Sequence, residues 1–173
     1  MKTIMLAAVL ILASAPVHAG EARMAVGAFI LGGGIDVHLS YRAENSRWQY
    51  GLRYVTWTDE WETVAGTAIS ETTTTKVGPT LNYLFTPGSR GSWYLGASVL
   101  HWTQDERSSR TGTSNKASTV APFFGGGYTG RIGARGYYNL GIYFSPAKLS
   151  TQTVDTAEET TGADVQLQLG FAF

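Results

Sequence analysis

The chain has 173 residues, a formal net charge of zero and no cysteine. That length suits one domain, and a balanced charge with no run of Lys and Arg leaves no electrostatic case for nucleic acid. Without cysteine there is no disulfide framework and no Cys-based zinc or redox site, while 21 glycines provide small residues for closely packed strands.

Residues 1–19 read as a signal peptide. Lys2 supplies a positive n-region, Ile4 to Ala13 an apolar h-region, and Val17-His18-Ala19 the small residues a signal peptidase reads. Cleavage is expected before Gly20, and no Cys follows to carry a lipid anchor. The h-region is shorter than the ~20 residues a spanning helix needs, and no later apolar run reaches that length. Residues 20–173 are therefore expected to be one exported domain without a transmembrane helix.

That domain reads as repeated strands with period-two alternation. Met24, Val26, Ala28 and Ile30 share one face of the first, behind Arg23. In the second, Ile35, Val37, Leu39 and Tyr41 stand opposite Asp36, His38, Ser40 and Arg42. The third sets Trp48, Tyr50, Leu52 and Tyr54 against Gln49, Gly51 and Arg53; the fourth sets Val77, Leu81, Tyr83 and Phe85 against Lys76, Gly78, Thr80 and Asn82. The fifth (Ser92 to Gln104) and sixth (Ala117 to Thr129) carry apolar residues on both faces. The seventh places Tyr138, Leu140, Ile142 and Phe144 opposite Tyr137, Asn139, Gly141 and Tyr143. The eighth is the most regular: Val165, Leu167, Leu169, Phe171 and Phe173 alternate with Asp164, Gln166, Gln168, Gly170 and Ala172. Eight strands result, each near the ~9–11 residues a tilted strand needs to cross a bilayer.

Connections alternate in kind. Ala43 to Ser46, Thr86 to Gly91 and Gly130 to Gly136 are short or Gly-rich, as is Gly32-Gly33-Gly34, which breaks the alternation. Asp59 to Glu71, Asp105 to Lys116 and Ala147 to Glu159 are longer, polar and rich in Thr and Ser. Aromatics divide along the strands. Trp48, Tyr50, Tyr83, Phe85, Trp93, Tyr94, Tyr128, Tyr137, Tyr138, Phe171 and Phe173 fall near the turn side. Trp57, Trp61, Trp102, Tyr143 and Phe144 fall near the loop side. Two bands of rings would mark two membrane interfaces.

Alternation alone fits a soluble, lipocalin-like barrel as well as a membrane one. Three features favour the membrane. The polar face mixes Arg23, Arg53, Lys76 and Asp164 with Gly51, Gly78, Gly141 and Gly170, which suits a narrow filled interior. Aromatics fall at strand ends on the apolar face. The chain closes on Leu169-Gly170-Phe171-Ala172-Phe173, and its terminal Phe resembles the signal read by the outer-membrane assembly machinery. Residues 20–173 thus resemble small outer-membrane proteins of the OmpA-transmembrane-domain and OmpX type. The resemblance implies an all-β, eight-stranded antiparallel transmembrane β-barrel in the cell outer membrane. It also implies surrounding lipids and lipopolysaccharide, and Phe171 and Phe173 as the assembly signal.

An eight-stranded lumen is filled by its own side chains. The inward set is Arg23, Asp36, His38, Arg42, Arg53, Lys76, Asn82, Asn139, Asp164, Gln166 and Gln168. These charges need partners or water, so a salt-bridge and hydrogen-bond network is expected. A narrow solute channel through that network is the alternative.

No catalytic residue, metal site or cofactor is expected. His38 reads as a satisfied lumen histidine. His101, beside Trp102 and followed by Asp105 and Glu106, lacks the converging ligands a metal needs. Ile142-Tyr143-Phe144-Ser145-Pro146 faintly resembles the active segment of lipid A 3-O-deacylase barrels, where a His stands two residues before a nucleophilic Ser and an Asn follows it. Ser145 matches the nucleophile, but Tyr143 occupies the base position and Pro146 that of the Asn. With a pKa of about 10, tyrosine is a poor base for serine. A lipid A-modifying enzyme remains the rival function. Glu71 to Thr75 and Glu158 to Thr161 are β-prone, so strands are able to extend beyond a bilayer. Ser108 to Lys116 reads as a basic loop, and Arg107, Arg110 and Lys116 are its candidate contacts with lipopolysaccharide phosphates or a host protein.

Overall fold

The computed structural model describes residues 20–29, 34–62, 68–108, 114–152 and 157–173. The signal-peptide segment, Gly32-Gly33 and Arg110 lie outside them, as does the Trp61 side chain. Eight strands follow in order: β1 (Gly20–Phe29), β2 (Gly34–Ala43), β3 (Trp48–Glu62), β4 (Ala68–Leu84), β5 (Gly91–Ser108), β6 (Ser114–Ile132), β7 (Gly136–Gln152) and β8 (Ala157–Ala172). Each pairs antiparallel with the next, and β1 pairs with β8 from Arg23↔Ala172 to Phe29↔Gln166. The sheet is closed and leaves no edge. The eight-stranded antiparallel barrel expected from the alternation is the fold observed.

The strands are longer than the alternation suggested. β3 to β8 run 15 to 19 residues. Most of the three stretches read as long loops is sheet: Asp59 pairs with Thr72, Asp105 with Lys116, and Ser150 with Glu159. Beside the first of these stretches, threonine supports the extension. Its branched Cβ favours the extended backbone, and its hydroxyl pairs across strands. Thr58 meets Thr73 at 3.1 Å and Thr56 meets Thr75 at 3.3 Å. Polarity marked these residues as lying outside an apolar belt, and they lie there as strand. On the opposite side the turns are tight, with Gly88 (φ 88°) and Gly133 (φ 67°) in left-handed conformations that a glycine adopts without steric cost.

Pro79 sits inside β4, opposite Leu52 of β3. It has no N–H to donate, and the β4–β5 ladder is interrupted there, resuming from Val77↔His101 to Thr80↔Ser98 in unchanged register.

The period-two parity assigns the two faces. Val26, Ile35, Leu95, Val120, Phe144, Leu169 and Phe171 point outward and are at least half exposed. Asp36, Lys76, Asp164 and Gln168 are almost fully enclosed. β5 and β6, ambiguous in sequence, keep the same parity. Their inward apolar residues Leu100, Trp102, Ala121 and Phe123 pack into a cluster with Leu84, Tyr94 and Tyr143.

The aromatic bands need correction. The turn-side belt exists as edge contacts, Trp48–Tyr83 at 5.0 Å, Tyr83–Phe85 at 5.7 Å and Trp93–Tyr128 at 5.2 Å. Tyr94 and Tyr137, counted in it, are buried inside instead. Of the loop-side band, Phe144 points outward, but Trp102 and Tyr143 are buried and Trp57 packs on Lys76 within the barrel. Position along a strand sets how deep a ring lies. Parity sets which face it joins, and Trp57 shares the parity of Arg53.

Candidate functional site

The barrel encloses a polar interior of three levels. At its centre β2, β3, β4 and β8 bring four charges together. Arg53 of β3 donates from Nη2 to Asp36 Oδ2 at 2.8 Å and from Nε to Asp36 Oδ1 at 3.1 Å. Its Nη1 reaches across the lumen to Asp164 Oδ2 at 3.1 Å, and Lys76 Nζ donates to Asp164 Oδ1 at 2.5 Å. Asp36 and Asp164 are both fully buried. β8 neighbours β1 and β7 only, so these pairs tie β3 and β4 to the far wall. Arg and Lys are long enough for that span and aspartate is not, so the cations make the crossing. Two cations face two carboxylates, and each carboxylate accepts at both oxygens, which is the condition under which buried charge is tolerated.

Lys76 also lies among three rings, with Nζ 5.0 Å from the Trp57 centroid, 4.7 Å from Trp102 and 4.8 Å from Phe123. The ring faces carry partial negative charge and attract the ammonium. This aromatic box stands on the loop side of the charge cluster.

Neutral hydrogen bonds surround the cluster. His38 Nε2 is 2.9 Å from Thr80 Oγ1, Tyr143 donates to Asn82 Oδ1 at 3.2 Å, and Asn139 Nδ2 to Gln168 Oε1 at 3.2 Å. Tyr94 donates to Gln166 Oε1 at 3.3 Å. Glycines make two of these reaches possible. His38 on β2 passes over β3 to Thr80 on β4, and a methyl at Gly51 would stand 2.6 Å from its Nε2. A methyl at Gly96 would stand 2.6 Å from the Tyr143 hydroxyl.

The third level is the turn-side mouth. Arg23 and Arg42 each donate to Glu21 Oε2 at 3.1 Å, and Arg131 donates to the same oxygen at 3.0 Å. Arg23 lies over the Tyr137 ring at 5.1 Å. A cavity of about 450 Å³, bordered by Glu21, Arg42, Glu44 and Arg131, opens here.

All eleven residues expected to face inward are buried. They do not form one cluster. Asp36, Arg53, Lys76 and Asp164 meet at the centre; Arg23 and Arg42 belong to the mouth; the others pair locally. Sequence reasoning missed Glu21, Arg131, Thr80 and the aromatic box. Parity was a usable signal for Glu21, which shares a face with Arg23, and for Trp57.

The other candidates stand apart. Ser145 Oγ accepts from the Ala147 N–H at 3.1 Å, while the Tyr143 hydroxyl is engaged with Asn82, so these two do not form a nucleophile–base pair. His101 points outward from β5. Among the described residues no three His, Asp or Glu side chains gather as metal ligands would. Arg107 lies in β5 opposite Ser114, and Lys116 in β6 opposite Asp105, both at the loop-side end. Phe171 and Phe173 are 62% and 74% exposed, and the Phe173 N–H donates to Ala22 O at 2.8 Å.

No protein-family model matches the chain, and no curated protein matches its sequence. Solved structures share its fold. The N-terminal β-barrel domain of Pseudomonas aeruginosa OprF is 14% identical, with a TM-score of 0.58 over 90% of this chain and 98% of that one. Neisserial surface protein A is 13% identical, with a TM-score of 0.56 over 88% and 92%. Ail, the attachment invasion locus protein of Yersinia pestis, solved with the heparin analogue sucrose octasulfate, is 16% identical, with a TM-score of 0.56 over 89% and 94%.

Proposed function

We propose that this chain is an integral outer-membrane barrel with a structural or surface-interaction role, its lumen closed by the polar network. The observation that carries this reading is the inverted distribution of polarity. Large apolar side chains such as Trp93, Leu95, Phe124 and Phe171 are 57–65% exposed on the outside, while charge is collected within. Water does not tolerate so continuous an apolar surface, and lipid requires it, along with the closed ladder that leaves no unpaired strand edge. The structural neighbours are outer-membrane and surface barrels, which supports the location.

On this reading the tight turns face the periplasm and the Thr-rich strand ends face outward. Phe171 and Phe173 serve as the signal to the assembly machinery. Arg107, Arg110 and Lys116 are the candidates for contact with lipopolysaccharide phosphates or a host polyanion; the Yersinia neighbour was captured with a polyanion of that kind.

The test is reconstitution. The purified chain should insert into phospholipid vesicles and show heat-modifiable migration with a β-type far-ultraviolet spectrum. In planar bilayers it should hold a closed baseline. Steady, selective conductance would favour the narrow channel instead, and a changed acyl pattern in lipid A from expressing cells would favour the enzyme. Failure to insert would remove the membrane reading altogether.

A further inference from the structure

We propose that the turn-side mouth is a binding site for a multivalent oxyanion of the phosphate class. Beside the Glu21 contacts lies a slot of about 20 Å³ bordered by Arg23, Arg42, Arg90 and Arg131, with no carboxylate among the described residues on its walls. It has room for about one oxygen-sized atom. It adjoins a vestibule of about 490 Å³ that shares Arg90 and Arg131. A tetrahedral anion seated in the vestibule would present one oxygen to the slot and keep the others for the two outer guanidiniums.

The donor inventory asks for such a ligand. Three guanidiniums converge on a single oxygen, Glu21 Oε2. Arg23 and Arg42 are 6% and 7% exposed, and the buried Nε–H of each meets no acceptor among the described residues. Buried donors left unpaired are costly, the more so on a charged group. The hydroxyls that border the slot do not compete for an anion as donors. Ser89 and Ser92 donate to the carbonyls of Thr86 and Trp93, both at 2.8 Å, and Thr129 to that of Tyr138 at 3.2 Å. Recognition therefore falls to the guanidiniums, whose planar forks match the oxygens of a phosphate in pairs and match a halide poorly. Three such groups share one carboxylate from β1, and Arg90 borders the slot beside them. Glu44 borders the neighbouring cavity and not the slot.

Free phosphate and the phosphate of a lipid headgroup offer this same chemistry. The site itself rests on the barrel; only the lipid source rests on the membrane reading above.

The experiment measures the unfolding temperature of the full chain in zwitterionic detergent, titrated with inorganic phosphate or with chloride at matched ionic strength. Phosphate should raise it well beyond chloride. Arg90→Gln/Arg131→Gln, at exposed positions, should weaken the phosphate response by about tenfold or more, the loss expected from charge-assisted hydrogen bonds. Glu21→Gln should act in the opposite direction, lowering the starting temperature and enlarging the phosphate-induced rise, because the anion replaces the missing carboxylate. A purely structural Glu21 would leave that rise unchanged. In vesicles of phosphatidylcholine, free phosphate should retain its effect; if added phosphatidylglycerol suppresses it, the headgroup is the occupant, and if not, the free anion is. Equal responses to phosphate and chloride, or a double variant that responds like the parent, would overturn the site. A chain that never enters vesicles yet responds to phosphate in detergent keeps the site and loses the membrane reading.

Discussion

At the centre of the lumen, Arg53 and Lys76 share Asp36 and Asp164, and every carboxylate oxygen accepts a hydrogen bond. At the turn-side mouth three arginines share one oxygen of Glu21, and the Nε–H groups of two of them meet no acceptor among the described residues. Both regions use Arg against carboxylate, and both join inward positions of strands that are not all neighbours in the sheet. They differ in balance and in access to water. The centre is closed off from bulk solvent, and its charges are matched one to one. The mouth borders open cavities, where water or an anion is able to reach the exposed Arg131. A closed interior selects for neutrality, and an open one permits surplus charge that a ligand can use.

Substitutions at the two levels should separate them sharply. Asp164→Ala removes the partner of both Lys76 and Arg53, and stranding buried cations should cost about 3–5 kcal/mol, read from urea unfolding in detergent micelles. A loss below about 1 kcal/mol would mean that water reaches the centre and the contrast with the mouth is false. Gly51→Ala should cost about 1–3 kcal/mol by forcing His38 off Thr80, with the same unfolding curve as the readout. Lys76→Met combined with Asp164→Asn should cost less than the two changes added, by about 0.5–3 kcal/mol, because the partners are removed together. A double-mutant cycle with zero coupling would deny the cross-lumen pair. At the mouth, Arg131→Gln should change stability by about 0–1 kcal/mol in phosphate-free buffer, since Arg131 is exposed and its ion pair is screened. A cost like that of Asp164→Ala would erase the distinction between the two regions.

Much of this architecture was legible in the chain, and particular residues show why. Val165 to Phe173 alternates without a break, so β8 and its inward Asp164, Gln166 and Gln168 followed directly. Arg53 and Lys76 were placed inward by the same parity. Trp57 and Trp102 were misplaced because they were sorted by height along the strand and not by face. The stretch from Asp59 to Glu71 reads as loop because it is polar, yet Asp59 pairs with Thr72 and Glu60 with Glu71 as strand. Glu21 was passed over because the apolar alternation of β1 begins after it.

The sequence by itself determined the faces. A strand returns each side chain to one side every second residue, so the division into an apolar exterior and a polar interior is a local property that requires no partner strand. Tertiary structure alone decided who meets whom inside. Closure of β1 on β8 brings Asp164 within reach of Arg53, 111 residues away, and brings Arg131 to Glu21 across 110. The register of eight strands and the empty inward positions at Gly51 and Gly96 set which reaches are open, and no local pattern encodes either. Hence the chain declared that its charges lie within, and only the closed barrel divided them into a neutral centre and a cationic mouth.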